Sequence, residues 1–160
     1  MREILFRGKR VDNGEWVEGF YVAHLNAVHY IIPCRTGGYE ANDGCFYVHR
    51  WCAVDPDTIG QYTGMTDMTG RKIFEGDLLS ATINAKTGKH KDQWGFEVFD
   101  TEKQETVWSV EWKNFNAQNG FRVYGKDRRF NIRLSHSVII NGDCRVIGTI
   151  HDNPELLKAE

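Results

Sequence analysis

The sequence lacks a long apolar run and an excess of charge of either sign. No stretch approaches the roughly 20 apolar residues that a membrane-spanning helix needs, and residues 1–10 lack the apolar segment of a signal peptide. The chain has 20 Lys and Arg against 22 Asp and Glu, so no net field draws it onto nucleic acid or an anionic membrane. We therefore expect a cytoplasmic protein with no membrane partner, whose four cysteines are reduced thiols.

The sequence also lacks the short motifs of common catalytic sites. It contains no His-Glu-x-x-His, no Gly-x-Ser-x-Gly and no phosphate-binding loop, and its six histidines do not cluster. This pattern predicts no catalytic residue, no cofactor and no bound metal. A catalytic set assembled from distant residues leaves a metal-dependent enzyme open as a third hypothesis.

What the chain does contain points to β structure. Val, Ile and aromatic residues, which suit a pleated surface, far outnumber Leu, Ala and Met. Asn-Gly pairs, which favour two-residue hairpin turns, occur at Asn13-Gly14, Asn119-Gly120 and Asn141-Gly142. Strand-like sequence flanks each pair, so we predict an antiparallel, hairpin-rich all-β fold.

Further elements follow from local pattern. We predict a strand over Phe130 to Ile140 before the third Asn-Gly pair, and a mobile polar loop over Asn84 to Gln93. Asn153 as a cap and Pro154 as the first helical residue predict one short C-terminal helical turn. The 160 residues form one domain with two possible sub-lobes. An N-terminal β lobe covers 1–62, and a lobe with the strand count of a small barrel covers 71–151.

Three segments together resemble the YopX family of phage- and prophage-encoded proteins. They are Arg2 to Arg10 with Gly14-Glu-Trp-Val, Val54 to Gly64 with Ile73-Phe-Glu-Gly-Asp, and Val146 to Leu157. The resemblance covers nearly the whole chain and is weakest over Asn84 to Glu105. It implies a β-rich fold with an SH3-like barrel lobe, a phage or prophage origin, self-association and no known enzyme activity.

The central segment, which runs from Asp55 to Asp77, is dense with residues that fix a backbone path. Pro, Gly and short polar side chains hold turns, and a structural role accounts for every one of them. The family-matching residues are Asp55, Pro56, Gly60, Gln61, Tyr62, Gly64, Glu75, Gly76 and Asp77, joined later by Asn153 and Pro154. We interpret the segment as the connection between the two lobes. The alternative is that the carboxylates of Asp55, Asp57, Glu75 and Asp77 converge to hold a cation or share acid–base chemistry.

A second alternative is a zinc site. Cys34, Cys45, His49 and Cys52 supply four ligands of the right chemistry, but their spacing matches no common zinc knuckle. Buried free thiols are the simpler interpretation.

A basic and aromatic strip lies between Gly120 and Arg133. Its cations could follow phosphates while its rings stack on bases, which is how small barrels bind single strands. The predicted contacts are Arg122, Tyr124, Lys126, Arg128 and Arg129. Equally, the rings face the core and the charges protect an edge.

Five tryptophans complete the aromatic set. Trp108, Val110 and Trp112 share a strand face by parity, which predicts a core or subunit-interface position. Taken together, the sequence predicts a non-enzymatic, self-associating accessory or binding module that forms a homo-oligomer. A nucleic-acid-binding module is the alternative.

Overall fold

The computed structural model describes residues 3–24, 28–34, 38–40, 46–48, 50–115, 118–126, 128 and 131–158. Within these ranges the predicted all-β fold is confirmed: every paired strand is antiparallel and only one short α helix is present. The chain forms two compact units. One comprises Met1–Met65 and Lys72–Gly76, and the other Thr66–Arg71 and Asp77–Glu160. The predicted sub-lobe bounds and the SH3-like barrel stay predictions.

The first unit is built on a six-stranded sheet with the strand order β6-β3-β2-β1-β7-β8. A separate two-stranded sheet pairs β4 with β5, and a 3₁₀ turn over Pro56–Thr58 precedes β7. The strands are β1 Phe6–Lys9, β2 Trp16–His24, β3 Val28–Pro33, β4 Gly38–Glu40, β5 Phe46–Val48, β6 Cys52–Ala53, β7 Gly60–Thr66 and β8 Lys72–Phe74.

The predicted hairpin at Asn13-Gly14 is confirmed, because β1 and β2 pair directly across it. The turn is longer than two residues: the Arg10 amide donates to the Glu15 carbonyl at 2.9 Å. Leu5, Tyr62 and Phe74 form a buried cluster in this unit, with the Tyr62 and Phe74 ring centroids 5.5 Å apart.

The second unit is built on a five-stranded sheet with the order β12-β11-β10-β9-β13. Its elements are β9 Asp77–Lys91, β10 Glu97–Phe115, β11 Gln118–Gly125, β12 Asn131–Arg133, α1 His136–Asn141, β13 Arg145–Thr149 and a 3₁₀ turn Pro154–Leu157. Apolar side chains from β9, β10, β11 and α1 are buried, among them Leu78, Leu79, Val110, Val123 and Ile139.

Two of the three predicted Asn-Gly turns are wrong. Asn119 and Gly120 lie inside β11, paired with Asn114 and Lys113. Asn141 ends helix α1, so the predicted strand over residues 130–140 is also wrong beyond β12. The helix begins because the Ser135 hydroxyl accepts from the Val138 amide at 3.3 Å, which caps its first turn.

The mobile loop predicted over Asn84 to Gln93 is wrong as well. Residues up to Lys91 continue β9, and they pair with β10 from Glu97 onward. Backbone pairing with β10 imposes the strand here, although the polar side chains give no apolar alternation.

The predicted C-terminal helical turn is confirmed as the 3₁₀ turn that begins at Pro154. Asn153 precedes it but does not cap it with its side chain. In the described residues, no helix has both the length and the apolar character needed to cross a membrane.

Candidate functional site

The start of the central segment is organised around a short 3₁₀ turn. The Asp55 carboxylate accepts from the Asp57 amide at 3.1 Å and caps the turn, which Pro56 begins. Thr58 is buried, and its hydroxyl accepts from the Lys9 amide at 2.9 Å and donates to the Asp55 carbonyl at 2.7 Å. These contacts tie the segment to β1, so Asp55 has a structural task.

Gly60 shows why the segment demands a glycine. It lies in β7 opposite Arg7, and a Cβ atom at this position would come within 2.3 Å of the Glu75 carbonyl oxygen. The backbone carbonyl of the neighbouring Gln61 accepts a hydrogen bond from the Glu75 amide at 2.9 Å. The strand therefore reaches its pairing distance only without a side chain at this position.

The four carboxylates proposed to converge are divided between the two units, with Asp77 in the second unit and the other three in the first. In the part of the chain that the structure describes, no group of three or more His, Cys, Asp and Glu side chains is placed to hold a metal ion. Asp55 and Asp57 are exposed in the first unit, whereas Asp77 is fully buried at the start of β9. Gly76, with φ of +81°, completes the predicted turn before it.

Asp67 is the residue of this segment whose role the sequence reasoning missed. It is only 6% exposed, and its Oδ1 accepts from the Thr69 amide, the Thr69 hydroxyl and the Arg71 amide at 2.7–3.0 Å. Its Oδ2 accepts from the Val146 amide at 2.9 Å. Burial on its own would raise the pKa of this carboxyl, but the hydrogen bonds outweigh burial and the pKa lies below its usual range.

The structure describes only two of the four residues proposed as zinc ligands. Cys45 and His49 lie outside the described residues. Cys34 is exposed and Cys52 is buried, and both are free thiols. A zinc site at these four residues therefore stays an untested alternative.

The basic and aromatic strip is held by contacts within the second unit. The Arg122 guanidinium donates to the Asn131 side-chain oxygen at 2.7 Å. Arg128 lies over the Tyr124 ring, 4.9 Å from its centroid, and pairs with both carboxylate oxygens of Glu111 at 2.9 and 3.0 Å. The pair raises the pKa of Arg128 through a hydrogen bond and charge, so the positive charge of Arg128 is offset locally.

The contacts described above do not include the remaining two cations of the strip, Lys126 and Arg129. Lys126 is exposed, whereas Arg129 lies outside the described residues. Nucleic-acid binding through the strip therefore stays a prediction.

The tryptophans divide between core and surface. Trp108 and Val110 are buried in the second unit, as predicted. Trp112 remains partly exposed and meets the Phe121 ring edge-on with centroids 4.8 Å apart. In the first unit, the Arg7 guanidinium stacks 4.5 Å from the Trp16 centroid.

The strongest candidate surface is the far part of the β9–β10 hairpin, residues 84–105, which we call the arm. Its turn is built by Asp92, whose carboxylate accepts from the amides of Trp94 and Phe96, both at 2.9 Å. The Asp92 amide donates to the Phe96 carbonyl at 2.9 Å. The turn presents Trp94 and Phe96 to solvent, 73% and 70% exposed.

Side-chain contacts between the two strands of the arm are polar. Lys89 pairs with Glu97 at 2.7 Å and His90 with Asp100 at 3.2 Å. The Lys86 ammonium lies over the Phe99 ring, 3.7 Å from its centroid. Residues 86–91 and 93–105 are exposed on both faces of the ribbon, so no apolar layer covers the arm.

The backbone edges of the arm are open too. The partner β13 pairs β9 only over Asp77 to Ser80, and β11 pairs β10 only from Trp108 onward. Among the described residues, no strand pairs with the outer edge of either arm strand. Open edges and exposed aromatics on one segment make the arm a candidate interaction surface.

Comparison with known proteins gives a similar solved structure and a family match. No curated protein sequence matches it. Its fold is similar to the crystal structure of protein EF1440 from Enterococcus faecalis, with a TM-score of 0.63 and 21% sequence identity over 99% of this chain and 100% of that chain. At this identity the likeness shows a shared fold alone.

The family assignment comes from the sequence match. The family model described as YopX protein matches residues 5–158, which is nearly the full length and includes the central and C-terminal motifs and most of the N-terminal one. The chain therefore belongs to the YopX family.

Proposed function

We propose that this YopX family member is a non-enzymatic, phage-derived binding module, and that it associates with further copies of itself through the arm. Family membership supports the phage origin. The single observation that carries the self-association is the arm itself, a two-stranded ribbon with exposed aromatics at its turn and unpaired edges among the described residues.

The energetic argument starts from the stability of such ribbons. An isolated two-stranded hairpin is at best marginally stable in water, and a third strand or a packed face is needed to hold it. The Lys89–Glu97 ion pair and the His90–Asp100 contact across the arm are exposed, and an exposed ion pair contributes only about 0–1 kcal/mol. A neighbouring copy supplies the missing contact.

The turn of the arm adds apolar area to that contact. Aromatic side chains bury about 150–250 Å² each and dominate the energetics of interfaces. The Asp92 carboxylate holds the backbone amides of Trp94 and Phe96, so the turn that presents the two rings is already ordered before they dock.

The test is the mass of the full chain in solution, measured by light scattering and sedimentation velocity. We expect the wild type to exceed the mass of one chain, and the double variant Trp94→Ser/Phe96→Ser to shift toward it. Ile140→Ser is the matched control, because Ile140 is also largely exposed, at 61%, but lies in α1.

The outcomes separate cleanly. A wild type that stays a single chain at all concentrations overturns self-association. A wild type that associates, with a double variant that associates equally well, assigns the contact to another surface and overturns the role of the arm. If Ile140→Ser loses association while the double variant keeps it, the role of the arm is also overturned.

A further inference from the structure

The charges of the arm are separated by strand. The β9 half carries only basic or titratable nitrogen groups, namely Lys86, Lys89, His90 and Lys91. The β10 half carries four carboxylates and one lysine, namely Glu97, Asp100, Glu102, Lys103 and Glu105. One open edge of the arm is therefore basic, and the other is acidic.

Pairing within the arm does not require this separation. The Lys89–Glu97 and His90–Asp100 contacts join the two strands of one chain, and they would form equally well if the two signs were distributed over both strands. Strand-wise separation makes a difference only to a strand that approaches from outside.

The sign of each edge decides which neighbours it accepts. Two β9 edges side by side would place lysines against lysines, and two β10 edges would place carboxylates against carboxylates. Like charges opposite one another in a sheet are destabilising, whereas opposite charges contribute roughly 0.2–1 kcal/mol per pair. A symmetric contact between identical edges is therefore disfavoured.

We propose that the arms of neighbouring copies lie side by side, with the basic β9 edge of one arm against the acidic β10 edge of the next. This inference rests on the proposed self-association and specifies its geometry. The contact joins two different surfaces, so it is head-to-tail, and repetition gives a closed ring or an open filament rather than a two-fold dimer.

A β-bulge affects how the strands meet. Asp100 pairs with Gly88 and Thr101 pairs with Lys86, so Thr87 is the extra residue of β9. Bulges and lysines on an edge also serve to block pairing. The competing interpretation is thus a protected edge that meets no other strand, and the experiment must separate the two.

The experiment uses variants of the full chain that each carry one added cysteine, in a background with Cys34→Ser and Cys45→Ser. Cys52 and Cys144 are buried and stay. One variant carries Thr87→Cys on β9. A series of variants carries a single cysteine at one position between 97 and 105 on β10, which covers every register.

Each variant is treated alone and in a mixture with Thr87→Cys after subunit exchange. The cysteines are cross-linked with a bifunctional thiol reagent. Its reach is shorter than roughly 10 Å, the width of two strand spacings, so it joins only strands that are direct neighbours. We expect covalent dimers in mixtures of a β9 with a β10 variant, at several-fold higher yield than in either variant alone.

The results distinguish this inference from the proposed function. Dimers in Thr87→Cys alone, or in β10 variants alone, show like edges in contact and overturn the head-to-tail geometry. No cross-link in any mixture, with the mass of the background still that of an oligomer, overturns the edge contact but leaves self-association standing. A background and wild type that are both single chains overturn the proposed function itself.

A charge exchange provides a second variant. Lys89→Glu/Glu97→Lys retains an ion pair within the arm but reduces the sign difference between its edges. We expect weaker association than wild type, with an unchanged circular dichroism spectrum. Association equal to wild type would contradict a contact based on edge charge.

Discussion

Removing the Asp67 carboxylate tests whether the central segment is structural. This side chain accepts four hydrogen bonds, three of them from Thr69 and Arg71 and one from the Val146 amide, which is 79 positions away in sequence. Asp67→Asn keeps the shape and one oxygen but turns an NH₂ group toward a second donor. If the asparagine oxygen takes the place of Oδ1, its NH₂ group takes the place of Oδ2, and the Val146 amide loses its acceptor.

The magnitude follows from the cost of unmade bonds. A buried donor without a partner costs about 1–3 kcal/mol, and hydrogen bonds to charged groups contribute about 1.5–3 kcal/mol each. We expect Asp67→Asn to lower the free energy of unfolding by about 2–3 kcal/mol. Asp67→Ala removes all four bonds and should cost about 3–5 kcal/mol, close to the upper end for single substitutions.

The assay is urea unfolding at pH 7, followed by tryptophan fluorescence, with the midpoint and slope compared between variants. Asp57→Asn is the matched control, because Asp57 belongs to the same segment but is exposed. Its free energy of unfolding should stay within about 0.5 kcal/mol of that of the wild type. Equal midpoints for Asp67→Asn and Asp57→Asn would refute the structural role of Asp67.

The pKa of Asp67 adds a pH test with a fixed sign. The folded-state pKa lies below the ordinary value because the hydrogen bonds to Thr69, Val146 and Arg71 outweigh the opposing effect of burial. The stabilisation is therefore complete above the unfolded-state pKa and is lost as the pH falls through the folded-state pKa. The difference in stability between wild type and Asp67→Asn should shrink from pH 7 to pH 2; a constant difference would contradict the ionised, hydrogen-bonded carboxylate.

Two further predictions concern thiol chemistry and nucleic acid. Burial, with smaller contributions from Asp143 and Asp67, raises the pKa of the Cys144 thiol to about 11. Alkylation at pH 8, followed by mass spectrometry, should therefore show modification of the exposed Cys34, with Cys144 unmodified until denaturant is added. Equal alkylation rates for the two thiols would show that Cys144 is accessible. The strip hypothesis predicts binding of single-stranded DNA at low salt, with a larger loss of affinity in Lys126→Ala than in Arg128→Ala because Glu111 already offsets the Arg128 charge. Absence of binding at low salt ends that hypothesis.

Local sequence predicted the hairpin at Asn13-Gly14 correctly because the turn depends on residues close in sequence. It failed at Asn141-Gly142 for the opposite reason. The β-branched run Val138-Ile139-Ile140 favours a strand, yet Ile139 is buried from a helix. The Ser135 cap was the local signal that could have identified it.

The arm could not be predicted from apolar periodicity. A strand is recognised when one face is apolar, and residues 86–91 and 97–105 are exposed on both faces. The separation of charge by strand was present in the sequence, but it acquires meaning only after the pairing of residues 84–91 with 97–105 is known. Asp67 was missed similarly, since its contact with Val146 joins residues that are 79 positions apart in sequence.

The family motifs and the arm occupy different parts of the chain, and this division bears on function. The motif residues fix backbone geometry: Asp55 caps a turn, Gly60 permits a close approach and Gly76 adopts a positive φ. These roles are structural. None of the motif segments falls within residues 84–105. The proposed association is therefore assigned to the arm, because its exposed edge charges can change without altering the buried side chains of the second unit.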